Sequence, residues 1–303
     1  MVIISMDPVV YIHKWSHKYL ETSIKQTLKN NKRIILIWDD KNLSIAKKYN
    51  IEHYYFDQYN TSNFRKYYVH NKVSSNYEFE LICYERWFVL LEVMKKNNIK
   101  RCLYLDSDIL YFGNINEEFE RIENYWKYEL AYPNFSWHTT YIFSQEALRN
   151  FCEFMMKCYT DEDMYKKLLN WPLIYQSGIS DMSMFQLYKY NYPEKVFDLT
   201  KDYWDKIIYD WFINISEGYK TIFWKKYFTL KDNKAYIYKE SEQIETKTLH
   251  FQMHMKSYMQ MIYYKQIRFF RFLLFFNFII ESCYHKFAFV RRLRTKRKNK
   301  SLF

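Results

Sequence analysis

The chain is poor in the residues that punctuate backbone. Its 303 residues include three glycines and four prolines, against average usage of about 7% and 5%. So few glycines exclude a glycine-rich phosphate loop as the functional device, because such loops need backbone that approaches phosphates without a Cβ in the way. The five cysteines (Cys83, Cys102, Cys152, Cys158, Cys283) form no CxxC pair and are odd in number. That argues against a zinc ribbon or a disulfide framework and suits a reducing compartment. No apolar run reaches the roughly 20 residues of a membrane-spanning helix. Met1–Met6 is apolar but short, and Asp7-Pro8 follows it without a basic leader or cleavage site, so no signal peptide is expected.

What is present is a globular composition: 49% hydrophobic, 22% aromatic and 26% charged residues, which rules out disorder as the main state. The length allows one large domain or two small ones. The net charge is +12 and unevenly placed: from Lys265 onward eleven basic side chains face one acid, Glu281, so the remainder is close to neutral. Phe269–Ile280 is mostly Phe, Leu and Ile, and Arg291–Lys300 is a basic run. This combination predicts a folded body over 1–258 and a helical tail over 259–303. Residues 265–303 would lie on an anionic membrane surface, where each cation adds about 1 kcal/mol. A core helix with a solvated basic tail is the plainer alternative. No nucleic-acid-binding module accompanies the charge, so no nucleic-acid partner is expected.

Patterning predicts strands at Val9–His13, Arg33–Trp38, Ile51–Phe56 and Arg101–Leu105. Helices are expected at Lys18–Asn30, Ser44–Tyr49, Glu78–Asn98, Gln145–Tyr159 and Ser180–Tyr190. Thr221–Leu230 and Ala235–Lys239 read as a hairpin, and Lys247–Phe251 as a last strand. Strands alternating with helices indicate an α/β fold with parallel strands, whose ligands sit beyond the strands' carboxyl ends. Asp39, Asp40, Asp106 and Asp108 fall on that edge.

Asp106-Ser107-Asp108 follows a buried strand. In extended chain, residues i and i+2 point the same way, and two adjacent carboxylates repel unless a cation or proton joins them. A hard divalent ion with oxygen ligands, magnesium or manganese, is the natural partner. A simple Asp-capped turn competes with this reading, as does the DxDx[TV] nucleophile of haloacid-dehalogenase-like phosphatases, whose Thr/Val place is Leu110 here. Downstream, His250, Gln252, His254 and Lys256 gather at a strand end, where an imidazole could complete a metal shell and Lys256 could neutralise a phosphate. Arg86 interrupts the stripe Phe79, Ile82, Val89, Val93. A cation on an apolar face needs either a core carboxylate or a bound phosphate or sugar.

Together these residues resemble the GT-A glycosyltransferases, which move a sugar from a nucleotide-sugar donor. Leu103–Ile115 is similar to that fold's DxD strand. His250–Lys256 is similar to the H-x-x-G-x-x-K element of glycogenin-like and bacterial lipopolysaccharide transferases (glycosyltransferase family eight), with Met253 in place of the glycine. Tyr19–Asp40 resembles their first β-α-β unit, and 177–182 the segment whose Asp meets the sugars. The resemblance implies a Rossmann-like mixed sheet flanked by helices, with Asp106, Asp108 and His250 holding Mn2+ or Mg2+. It also implies Ser107 and Lys256 beside the diphosphate of a UDP-sugar, Asp39 or Asp40 toward the base or ribose, and Arg86 and Asp181 toward sugar. Asp181 is the candidate base and Asp108 the second catalytic carboxylate. The acceptor would be a saccharide or lipid-linked saccharide of the cell surface, and the enzyme would sit on the cytoplasmic membrane face. The glycine replacement leaves a catalytically weakened binding relative as the alternative, and a membrane-surface interaction protein as another.

Overall fold

The apolar runs become adjacent strands: β1 (Val9–Ile12), β2 (Ile34–Trp38), β3 (Glu52–Tyr55) and β4 (Cys102–Leu105) run parallel in the order β3-β2-β1-β4. The computed structural model describes residues 6–71, 76–125, 127–133, 137–175, 178–201, 206–210, 212–214, 218–222 and 225–264, with backbone alone at 172–175, 253 and 254. Side chains alternate across the sheet. Val10, Ile12, Ile35, Ile37, Cys102 and Tyr104 enter one core, whereas Val9, Tyr11, Ile34, Leu36, Leu103 and Leu105 enter the other. Both faces are therefore covered, which is why these strands read as unbroken apolar runs rather than as alternation.

Helix α1 (Lys18–Thr27) packs Leu20 and Ile24 into the second core. It ends at Thr27, earlier than the periodicity suggests, where the Asn31 side chain takes the Thr27 carbonyl at 3.0 Å. Helix α2 (Asp40–Tyr49) starts before Ser44 because Asp39 caps it, its carboxylate accepting the Lys41 N–H at 3.0 Å. A short helix, α3 (Phe56–Tyr59), precedes α4 (Tyr77–Lys96). Asn76 caps α4 on the Phe79 N–H, Glu78 and Glu80 sit in its first turn, and Lys95 and Lys96 in its last, each sign where the helix dipole favours it.

The second half adds β5 (Ile109–Tyr111), α5 (Ile115–Glu123), β6 (Leu130–Tyr132), β7 (Thr139–Ile142), α6 (Gln145–Thr160), α7 (Glu162–Tyr175), α8 (Asp181–Asn191) and β8 (Val196–Asp198). The main sheet continues β4-β7-β6-β8, with β7 antiparallel to both neighbours. The result is the mixed α/β sheet flanked by helices that the sequence implied.

Beyond it lie β9 (Ile207–Ile208), β10 (Thr221–Ile222), β11 (Lys225–Lys226), β12 (Phe228–Lys231), β13 (Lys234–Lys239), β14 (Glu242–Thr246), β15 (Thr248–His250) and α9 (Met259–Tyr263). The expected hairpin arm Thr221–Leu230 is divided: β10 pairs with β11, and the hairpin proper joins β12 to β13. Asp232 and Asn233 form its turn, both at positive φ (49° and 59°), the geometry a two-residue hairpin loop requires. Strand β15 pairs antiparallel with β5, setting His250 opposite Ile109. Met259 and Ile262 are fully buried against Leu110 and Phe251, so the folded body continues past 258. The tail proposed over 265–303 lies outside the described residues, among which no helix is long and apolar enough to cross a membrane.

Candidate functional site

The strand order turns between β1 and β4. Helix α1, which follows β1, packs on one face, and α4, which leads to β4, packs on the other. The chain therefore diverges at the carboxyl ends of these strands and leaves a crevice there. A cavity of about 450 Å³ opens at that place, within the roughly 300–1,000 Å³ of small-molecule sites. One wall is the β1–α1 loop (His13, Trp15, His17, Tyr19), another the start of α4 (Phe79, Ile82, Arg86), and the floor is Asp106-Ser107-Asp108 with Lys256.

The two motif carboxylates face different partners. Asp106 Oδ1 accepts from the Tyr104 hydroxyl at 2.5 Å and from Arg86 Nη1 at 3.2 Å. Arg86 is buried and fully engaged: Nη2 meets Asp181 Oδ2 at 2.5 Å, and Nε donates to the Cys83 carbonyl at 3.0 Å. Its guanidinium also lies 5.2–5.5 Å from the rings of Trp87, Tyr104 and Trp137. Of the two partners that the sequence left open for Arg86, core carboxylates are the ones in place. Burial pushes the Asp181 carboxyl up to about 7, against the downward pull of Arg86. Burial likewise works against the Arg86 charge, but Tyr104, Asp181 and Asp106 outweigh it and hold the guanidinium above its ordinary value.

Asp108 is deeper. Its Oδ2 meets Lys256 Nζ at 3.0 Å and its Oδ1 lies 3.5 Å from His250 Nε2. Burial alone would raise its pKa; His250 and Lys256 reverse that and hold the carboxyl well below the usual range. The β5–β15 ladder explains the meeting, since the Phe251 N–H donates to the Asp108 carbonyl at 2.9 Å and His250 stands beside it. Lys256 rides on a 3-10 turn, Met253–Tyr258, and keeps 35% of its side chain exposed. Burial opposes its charge, and Asp108 more than restores it.

His13 closes the other side. Its Nδ1 is 2.8 Å from Ser107 Oγ and its Nε2 2.8 Å from His17 Nδ1. Burial, His17 and Lys256 push it down to about 3, so it is a neutral imidazole that donates through one nitrogen and accepts through the other. His17 stacks on Tyr19 with centroids 4.8 Å apart, and Trp15, at φ 71°, stays half exposed at the rim.

The donors implied for manganese or magnesium are two carboxylates and an imidazole, chemically suited to such an ion. Asp108 and His250 are close enough to share one, whereas Asp106 Oδ1 is committed to Arg86 and Tyr104. Among the described residues no three His, Cys, Asp or Glu side chains are gathered as a metal cluster. Asp108 and His250 are therefore the pair that would hold such an ion, and Asp106 could add its Oδ2 alone.

Of the residues singled out by sequence, Arg86, Asp106, Ser107, Asp108 and Lys256 line the cavity, and His250 is buried behind Asp108. Asp181, expected as a base, is 1% exposed and stands behind Arg86 rather than on the cavity wall. Asp39 and Asp40 are off the wall too: Asp39 caps α2 and Asp40 accepts from the Tyr55 hydroxyl at 2.9 Å. Sequence reasoning missed His13, His17, Tyr19 and Tyr104. His13 was findable as the residue following a parallel strand, and Tyr104 as the one sharing a strand face with Asp106.

No protein-family profile matches the chain, and no curated protein matches it. Among solved structures it is similar to apo mouse xyloside xylosyltransferase 1, with 13% identity, TM-score 0.48, and 64% of this chain and 84% of that chain covered. It is similar to a cytidylyltransferase from Leptospira borgpetersenii (12%, TM-score 0.31, 65% and 98% covered). A third is a glycosyltransferase involved in glycosylation of the major capsid of PBCV-1 (10%, TM-score 0.33, 65% and 84% covered). At such identities and TM-scores these likenesses assign neither residue nor chemistry to this chain.

Proposed function

We propose that the chain is a glycosyltransferase that moves a sugar from a nucleotide-sugar donor, a UDP-sugar by resemblance, to a saccharide or lipid-linked saccharide. One observation carries the reading: two carboxylates at the carboxyl end of β4 share a cavity, and a cation from a distant chain segment, Arg86 or Lys256, faces each. Asp108 and His250, with Asp106, would hold manganese or magnesium, which when bound stabilises negative charge on the diphosphate leaving group.

The chain's own part follows from its electrostatics. Lys256 is the cation able to move: one-third exposed and tied through its head, it can turn from Asp108 to a phosphate oxygen. Ser107, oriented by neutral His13, offers a polar contact beside it. The rings of Trp15, His17 and Tyr19 offer flat apolar faces to a nucleoside at the same end. Arg86 presents its guanidinium toward the sugar, and Asp181 acts as a positioning residue that keeps it there. Residues 265–303 would hold the enzyme on an anionic membrane, and liposome flotation with and without them tests that separately.

The test is calorimetric titration of UDP with and without manganese, on wild type and on Asp106→Ala/Asp108→Ala. Manganese-dependent binding that the double variant loses is expected. If neither UDP nor another nucleoside diphosphate binds wild type, the reading is wrong. Met253 in the place of the motif glycine favours one second reading, a binding relative with weakened catalysis. Binding without turnover of any UDP-sugar would select it.

A further inference from the structure

One fully buried ion pair has no part in that chemistry. Lys226 Nζ meets Asp210 Oδ1 at 2.7 Å, and their side chains are 2% and 0% exposed. Asp210 also binds the strand that carries His250. Its Oδ2 accepts the His250 main-chain N–H at 3.2 Å, its carbonyl accepts from Thr248 Oγ1 at 3.2 Å, and its own N–H donates to Thr246 Oγ1 at 3.1 Å. Lys226 reaches the same residue by a second route: its main-chain N–H donates to the Ile213 carbonyl at 2.9 Å, and the Ile213 N–H donates to the His250 carbonyl at 3.2 Å.

The arrangement has a clear geometry. In an antiparallel ladder alternate residues bond to opposite sides. Lys247 and Phe251 bond to the β5 side, through Phe112 and Asp108. The main-chain polar groups of His250 therefore point the other way, where, among the described residues, no strand pairs with β15 and Asp210 and Ile213 receive them. Stability alone does not account for a charged pair here, because a buried ion pair can usually be replaced by apolar residues of similar volume at no loss. A carboxylate that must accept one particular N–H cannot.

We infer that Asp210, anchored by Lys226, is a positioning residue that fixes His250 against Asp108 and so sets the affinity of the site for a metal-bound nucleoside diphosphate. The affinity part rests on the proposed function; the positioning part does not.

Two double variants separate the roles. Asp210→Leu/Lys226→Met keeps the volume and removes the acceptor, whereas Asp210→Asn/Lys226→Met removes the charges and keeps an acceptor oxygen. Each is compared with wild type by thermal unfolding, by titration with UDP and manganese, and by the imidazole proton NMR signal of His250, assigned with His250→Gln. The Leu/Met protein is expected to fold, bind about 10–100-fold more weakly, and shift the His250 signal. The Asn/Met protein is expected to keep both near wild type. A folded Leu/Met protein with wild-type affinity and an unmoved signal overturns the inference. Should that protein not fold, loss of affinity or a shifted His250 signal in the Asn/Met protein overturns it instead. If wild type itself binds no nucleotide, the glycosyltransferase reading fails, and the His250 signal alone still decides the positioning role.

Discussion

The wall and the floor of the cleft treat a carboxylate in opposite ways. On the α4 wall, Arg86 is locked by Asp181, Asp106, Tyr104 and the Cys83 carbonyl, with aromatic rings around it. On the floor, Lys256, carried by the turn after β15, touches Asp108 by its head alone and is one-third exposed. The first cation belongs to the scaffold as much as to the site, and the second is free to exchange partners. In the proposed function the fixed charge would define where the substrate lies, and the less constrained one would follow it.

The contrast can be broken most forcefully at Arg86. Arg86→Leu leaves Asp181 buried without its partner, and removing one member of a buried pair costs about 3–5 kcal/mol. Urea unfolding should show that loss in full. Lys256→Met should do the reverse. Its effect on stability should be smaller than that of Arg86→Leu, because the buried Asp108 carboxylate keeps His250 beside it. Its effect on UDP affinity should reach about 1.5–3 kcal/mol, the worth of a hydrogen bond to a charged group. Equal stability losses in the two variants would erase the distinction.

The third change is one of slope across a pH series. Asp181 keeps its proton up to about 7 in the folded chain, against an ordinary value of 3.8. The folded state thus binds more protons in that window, and stability falls as pH rises through it and levels off above. Asp108 runs the other way: its carboxyl is held low, so its contribution is present above the ordinary carboxylate value and lost as pH falls below it. Melting temperatures from pH 4 to 8 should lose the descending part in Asp181→Asn. A wild type and variant that run parallel across that range would mean that Asp181 does not titrate there.

Strands were legible in the sequence because burial on both faces leaves an unbroken apolar run, as in Ile34–Trp38. Asp106, Asp108 and Lys256 were legible because charge next to such runs is costly without a purpose. His13 was passed over although its place after a parallel strand marked it, and its bond to Ser107 at 2.8 Å emerges only in the fold. Asp39 and Asp40 stand at a strand end as expected, yet helix capping and a tyrosine hydroxyl take them. A carboxylate before a helix satisfies local chemistry first, and spacing alone does not separate the two uses. Asp210 was invisible for a related reason: its partners, Lys226 and His250, come from elements that only tertiary structure brings together.

The pairing of β15 with β5 also orders events in time. The main sheet is complete once β8 has been made, at Asp198, but His250 and Lys256 arrive only with the last described strand and turn. Contacts of such long sequence separation close late because their loop entropy must be met first. On the ribosome the sheet would thus form before His250 and Lys256 could reach Asp108, so the floor of the cavity is assembled on a scaffold already in place.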